Sequence, residues 1–314
     1  MKINLEKLKK QAGKTLNEVA SATKVAGKNI ADTSIEMSKK ASEKVDKTKK
    51  QAMKSMDKNG DGQVTIEDVI IMALKFPGIK INRAEFIKKE FSKYCSEDVI
   101  NNIIASTPLK AGVSKDVVDK IATDVIQYER ICVSGISTAL SIPGGVAMIA
   151  TLPTDIAQYY GYMLRATQKL LYLYGFQEID VNDGQLLDSA TMNTLIICMG
   201  VMYGVAGANT ALKSMAKALG LGVEKKLINT ALTKGTIYPI VKSVAKWFNI
   251  RMTKEIFAGF FKKSIPVVGS IIGGGITYAT FKPCCERLMT TLQDTKLSNL
   301  ENKDEDIIEI VDEK

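Results

Sequence analysis

Asp57-Lys58-Asn59-Gly60-Asp61-Gly62-Gln63-Val64-Thr65-Ile66-Glu67-Asp68 is the stretch on which the reading of this chain turns. Oxygen-bearing residues recur at Asp57, Asn59, Asp61, Gln63 and Thr65, and Asp68 closes the series. A hard divalent cation takes about 6–8 oxygen ligands from loop positions 1, 3, 5, 7, 9 and 12. Gln63 would offer its backbone carbonyl, and Thr65 would act directly or through a water. Gly62 stands at position 6, where the loop turns sharply and a Cβ is costly. Val64 is apolar and suited to packing inward between two flanking helices. The same letters also describe an Asn/Asp/Gly-rich turn that caps two helices and holds nothing.

This spacing resembles the EF-hand calcium loop, with Asp57, Asn59, Asp61, Gln63 and Asp68 as expected metal ligands and Thr65 as an auxiliary one. Position 12 carries Asp68 where the pattern has a bidentate Glu. One methylene less of reach implies weaker calcium binding and less discrimination against magnesium. No second loop of this spacing occurs in the sequence, so the expectation is a single hand.

Working outward, the segment before the loop is basic and the segment after it is apolar. The chain has 314 residues, with 43 Lys and Arg against 34 Asp and Glu, a net charge of +9. Residues 1–56 hold fourteen lysines, no arginine and six acids, so almost the whole excess lies there. Small or apolar residues return every eleven positions at Leu8, Val19, Ile30, Ala41 and Ala52, which predicts a long, nearly straight amphipathic helix. Its lysine flanks suit an anionic membrane surface or an acidic protein partner, or describe a solvated arm. Arginine and interleaved aromatics are missing from it, so no nucleic acid is expected.

The chain has no histidine, which removes imidazole bases, His-based triads and most zinc sites. Its five cysteines form no Cys-x-x-Cys pair, and those in apolar surroundings read as buried thiols of a reducing, cytoplasmic setting. The N-terminus has no apolar signal-peptide core.

After the loop, a short exiting helix is predicted to stop at Phe76-Pro77-Gly78. Two amphipathic helices follow at about 83–92 and 96–106, then a longer one from about 115. Three uncharged runs come next: residues 131–154, 189–212 and 264–281. Pro143-Gly144-Gly145 breaks the first in its middle, and the third is short, Gly-rich and contains Pro266 and Gly273-Gly274-Gly275. A spanning helix needs about 20 apolar residues, so the runs read as buried bundle helices or as hairpins that enter a membrane part-way. Gly200 and Gly204 form a Gly-x-x-x-Gly step that would let helices approach closely.

A helix predicted from about 153 to 174 has Pro153 in its first turn and Asp155 at its positive end. Ile156, Tyr160, Leu164, Thr167, Leu171 and Tyr174 line one face. Asp155, Gln158, Tyr162, Arg165 and Lys169 line another, either as its wet side or as a site. An enzyme reading would rest on Asp155, Tyr162 and Arg165. No P-loop, nucleophile elbow or dinucleotide turn accompanies them. The acidic tail, with seven acids and two lysines over residues 301–314, is expected to fray or to lie against the basic arm.

Ile142-Pro143-Gly144-Gly145, Leu152-Pro153-Thr154-Asp155, Leu173-Tyr174-Gly175 and Ile265-Pro266-Val267-Val268-Gly269 together resemble the EcsC family of bacterial proteins, over about residues 85–295. That resemblance implies a mostly helical, membrane-associated body and, by analogy, ABC exporter components as partners. It implies no chemistry. The whole is expected to be all-α: a basic helical arm (1–50), a single EF-hand (51–80), a Gly/Pro-interrupted apolar helical bundle (81–296) and an acidic tail (297–314). The function expected of it is a calcium-binding, non-enzymatic regulatory or interaction protein at the cytoplasmic membrane face. A soluble helical scaffold is the other non-enzymatic reading.

Overall fold

The computed structural model describes residues 64–76, 78–140, 145–179, 188–251, 268–295, 297–299 and 307–310, together with Lys54 and Asp57. Over 135–157 and 268–277 the description is of the backbone. The predicted basic arm and the central loop positions therefore lie outside the described residues. The protein is all-α: ten helices, and no strand among the described residues.

Helix starts follow the capping side chains. Helix α1 (Ile66–Leu74) begins after Thr65, whose hydroxyl accepts from the Asp68 amide while the Asp68 carboxylate reaches back to Thr65. That reciprocal box satisfies two amides that a helix start leaves open. Asn82 caps α2 (Arg83–Phe91) by accepting from the Glu85 amide, and Ser96 precedes α3 (Glu97–Ala105). Both helices stand within a residue of where the periodicity places them. Arg83 ties their ends together from a buried position, donating to the carbonyls of Ile103, Ile104 and Ser106 past α3 and to that of Phe176. A guanidinium at a helix C-terminus meets the carbonyls that the last turn leaves unpaired.

The long helices α4 (Lys115–Leu140) and α5 (Gly145–Leu173) pack along each other, and α10 (Val268–Gln293) packs on both. Their pairings fix direction. Tyr174 at the end of α5 bonds Asp119 near the start of α4 at 2.7 Å. Further along, Glu129 meets Arg165 and Arg130 meets Tyr278. On the other side, Tyr159 packs edge-to-face on Phe281 at 6.4 Å. Thus α4 runs one way, and α5 and α10 run the other.

Behind this layer lie α6 (Ser189–Met202), α7 (Ala208–Gly220), α8 (Lys225–Thr233) and α9 (Tyr238–Arg251). Asp188 caps α6 through the amides of Ala190 and Thr191. Phe91, Tyr172, Phe248 and Phe281 are among the largest fully buried side chains. Each such side chain contributes about 1.5–3 kcal/mol by leaving water.

Four expectations change. The run 189–212 is divided between α6 and α7 by a turn through Gly204 and Gly207, both at positive φ. Gly204 therefore lies past the helix, and only Gly200 serves close packing: a Cβ there would sit 2.8 Å from Val244. Helix α5 begins at Gly145, so Pro153 and Asp155 stand in its interior and not at its start. Two turns of Val, Ala, Met, Ile and Leu precede the proline and carry the helix to it. Helix α10 runs unbroken through Gly273-Gly274-Gly275 and past Pro283. Glycine costs about 1 kcal/mol per helical position, and burial of Phe281, Cys285, Leu288 and Leu292 on the same helix outweighs that. Lastly, part of the tail docks on the body: the Ile308 amide donates to Ser214 of α7 at 2.8 Å, and Ile310 packs on the core. Among the described residues no helix is long and apolar enough to cross a membrane.

Candidate functional site

The described end of the Asp57–Asp68 stretch is a helix start. The Asp68 Oδ2 accepts from the Thr65 amide at 3.0 Å and from the Thr65 hydroxyl at 2.7 Å. The side chains at loop positions 9 and 12 are thus neighbours, which fits the end of a cation-binding loop. Asp68 is buried, and the adjoining Glu67 has one carboxylate oxygen buried without a hydrogen-bond partner among the described residues. A buried carboxylate oxygen left unmatched is costly, and a nearby cation would relieve it. Asn59, Asp61 and Gln63 lie outside the described residues. Asp57 is half-buried. Among the described residues no group of three or more acidic or cysteine side chains is placed to hold a metal ion; Thr65 and Asp68 stand together as a capping box.

Both ends of α1 are fixed to the body. At its start, the Ile66 amide donates to Asn249 of α9 at 3.1 Å. Along its length, Ile66, Val69, Ile70 and Ala73 are wholly buried. Beyond its end, the chain from Gly78 to Ile81 lies on α5 and is held there by side chains. Gln168 donates to the Ile79 carbonyl at 3.0 Å and accepts from the Ile81 amide at 3.1 Å. Arg165 donates to the Gly78 carbonyl. Gly161 makes the approach close: a Cβ on it would stand 2.9 Å from the tip of Ile79. Gly78 itself turns at φ +76°, a region that favours glycine.

Arg165 also faces Glu129. Its Nε lies 3.0 Å from one carboxylate oxygen and its Nη2 3.2 Å from the other. Lys169 Nζ approaches the same carboxylate at 2.6 Å. Glu129 is fully buried, and Lys169 nearly so. Burial pulls the Arg165 pKa down, but the hydrogen bonds and charge of Glu129 more than restore it, and the net shift is upward. Aromatic rings flank the cluster, with buried Phe86 and exposed Tyr128 each 5.6 Å from Lys169 and Tyr162 5.7 Å from Arg165. One carboxylate between two cations leaves a net positive charge in low dielectric. Such a cluster holds only while every partner stays in place.

The predicted stripe on α5 is therefore neither a wet face nor an open site over Arg165 and Lys169. The two converge on a buried carboxylate under α2 and the connector. Tyr162 is half-buried beside them, Gln158 is half-buried further up, and the Asp155 side chain lies outside the described residues. Three participants were not read from the sequence: Glu129, Gln168 and Asn249. Glu129 carried a signal, because it interrupts the apolar stripe Val118, Ala122, Val125 and Val133 on α4, all buried. A lone acid in such a stripe implies a buried cation opposite it. Gln168 and Asn249 bond backbone groups distant in sequence, and no local pattern marks that.

The thiols follow expectation. Cys198, Cys284 and Cys285 are buried and all five cysteines are unpaired. Burial pushes Cys198 up to about 12 and raises Cys284 and Cys285 as well. No family model, no curated protein and no solved structure matches the chain.

Proposed function

We propose that this is a calcium-responsive, non-enzymatic regulatory protein that works at the cytoplasmic face of a membrane. In this reading Asp57, Asn59, Asp61, Gln63 and Asp68, with Thr65 in support, hold one calcium ion or, less selectively, magnesium. The observation that carries it is the register of α1. Its N-cap falls on position 9 of the loop and its capping-box carboxylate on position 12, a register compatible with the exiting helix of such a loop.

The tethering of α1 says which side would move. Asn249 holds its start and Arg165 with Gln168 hold the connector after it. The exiting helix is part of the body, so ion binding would act on the entering side and reset the basic arm against a fixed platform. A differential affinity worth about 1–3 kcal/mol between two arm positions is enough for a useful switch. An EcsC-like body would place this switch beside an exporter in the membrane. An enzyme reading through Asp155, Tyr162 and Arg165 would need Arg165 to leave both Glu129 and the connector.

Flotation of the full chain with anionic vesicles, in calcium or in chelator, tests the proposal. The expected result is a bound fraction that changes with calcium in the wild type and not in Asp57→Ala/Asp61→Ala. Equal binding by wild type in both conditions would end the regulatory reading.

A further inference from the structure

The layer behind the long helices is basic, and the described part of the acidic tail lies on one of its helices. Residues 189–251, from α6 to α9, hold seven lysines and Arg251 against one acid, Glu224. Residues 301–314 have the opposite balance, seven acids and two lysines.

The two meet at Ser214 of α7. It is 2% exposed, and its hydroxyl donates to the Thr210 carbonyl one turn back at 2.8 Å. A hydroxyl has one hydrogen and two lone pairs, so donating to its own helix leaves it an acceptor toward the tail. The Ile308 amide fills that role at 2.8 Å. Residues 307–310 are neither helix nor turn. Ile308 and Ile310 are half-buried, Ile310 against the core, and Glu309 between them is exposed. That alternation is the period of an extended strand. Lys213 and Lys217, both half-buried, stand beside Ser214, and Lys217 shares its side of the helix at three residues' spacing. Lys213 already draws one acid, Asp294 just past α10, at 3.5 Å.

A backbone amide caught by a buried side chain, alternate apolar residues turned inward and cations alongside together make a way of holding an extended acidic peptide. We propose that this face of α7 is a docking site for an extended acidic segment of another protein, with apolar residues two positions apart, and that the chain's own tail is the resident occupant which such a partner displaces. The tail is held by one described backbone hydrogen bond and a short apolar contact, and exposed ion pairs add little. Its tether raises its local concentration to about millimolar, which closes the site to weak acidic peptides. A segment that binds better opens it and frees the tail.

The test uses the full chain and a fluorescent peptide of residues 301–314. In the chain, Ile308→Pro removes the donating amide and Ile310→Ser the apolar contact, so the pair releases the tail while the peptide keeps the native sequence. By anisotropy the released chain is expected to bind one peptide, about tenfold or more tighter than the wild type does. Adding Ser214→Ala should take back about tenfold, with an unchanged melting temperature. A folded released chain that binds no better than wild type overturns the proposal, as does binding that ignores Ser214→Ala. The wild type decides by itself where a variant does not fold: excess peptide should speed hydrogen exchange at the Ile308 amide of the isotope-labelled chain, and an unchanged rate overturns the proposal. Phosphatidylglycerol vesicles that displace the peptide assign the face to lipid, and a wild-type dimer that Ile308→Pro splits assigns it to the tail of a second copy; both results go against a separate protein partner.

Discussion

One helix, α5, carries two chemistries. Its second half, from Tyr160 onward, is buried on almost every side and makes the polar contacts of the molecule's centre through Arg165, Gln168 and Lys169. Its first half, residues 145–154, has no charged residue at all. The contrast teaches that a helix can gather its buried polar contacts at one end and leave the other without charge. The polar half fixes the connector that follows α1.

The strongest way to break that contrast is to remove the carboxylate that the polar half depends on. Glu129→Ala should destabilise the fold by about 3–5 kcal/mol in urea unfolding, because it leaves two cations facing each other in the interior. Adding Lys169→Met should recover part of that loss. A Glu129→Ala loss below about 1 kcal/mol would mean the cluster is solvated, and the polar half would be a surface feature.

Gln168→Leu comes next. It leaves the Ile79 carbonyl and Ile81 amide without their partner, and about 2–3 kcal/mol should be lost. The same variant should weaken any calcium-dependent change in arm position, measured by spin-label or fluorescence distance, while leaving ion affinity nearly unchanged. An equal loss of affinity would show that the connector shapes the loop instead of transmitting from it.

Asp188 calibrates a cap outside both halves. Burial raises its pKa, but hydrogen bonds from Thr191 and Ala190 and the charge of Lys225 outweigh that, and the net shift is downward. A lowered carboxylate stabilises the fold fully above the ordinary Asp range, and the contribution disappears as pH falls through the folded value. Asp188→Ala should therefore cost about 1 kcal/mol at neutral pH. The gap from wild type should close as the solution is made acidic. A gap that widened in acid would reverse the assigned sign.

The smallest effect should come from the uncharged half. Ile131→Glu, at an exposed site beside it, should change stability in solution by less than about 0.5 kcal/mol. A larger loss would mean that Ile131 is covered by protein.

Much of the scaffold was legible from short-range signals. The amphipathic pattern placed α2 and α3 within a residue of their ends, and Phe76 and Gly78 end α1, because such signals act within a turn or two. The start of α5 was not legible. Pro153 is a common first-turn residue, and the helix nonetheless begins eight residues upstream of it. The continuity of α10 through three glycines was hidden for the same reason, since local propensity argues against it. In the candidate site, the spacing of oxygen donors was plain, but the capping box that joins Thr65 to Asp68 was not read from it. The Glu129 cluster was half legible: its cations were noticed as a stripe, but the stripe was read as a wet face or an open site. Burial of that face comes from α2 and the connector, and nothing in α5 itself encodes their arrival.

The central claim is that Asp57–Asp68 grips a divalent ion, and titration calorimetry of the full chain tests it most directly. Calcium added to the wild type should give a saturable heat for one ion per chain, with magnesium binding at the same site more weakly, and Asp57→Ala/Asp61→Ala should give only heat of dilution. Superimposable isotherms for the two proteins would contradict the account, and the stretch would then be a turn that caps α1 and nothing more.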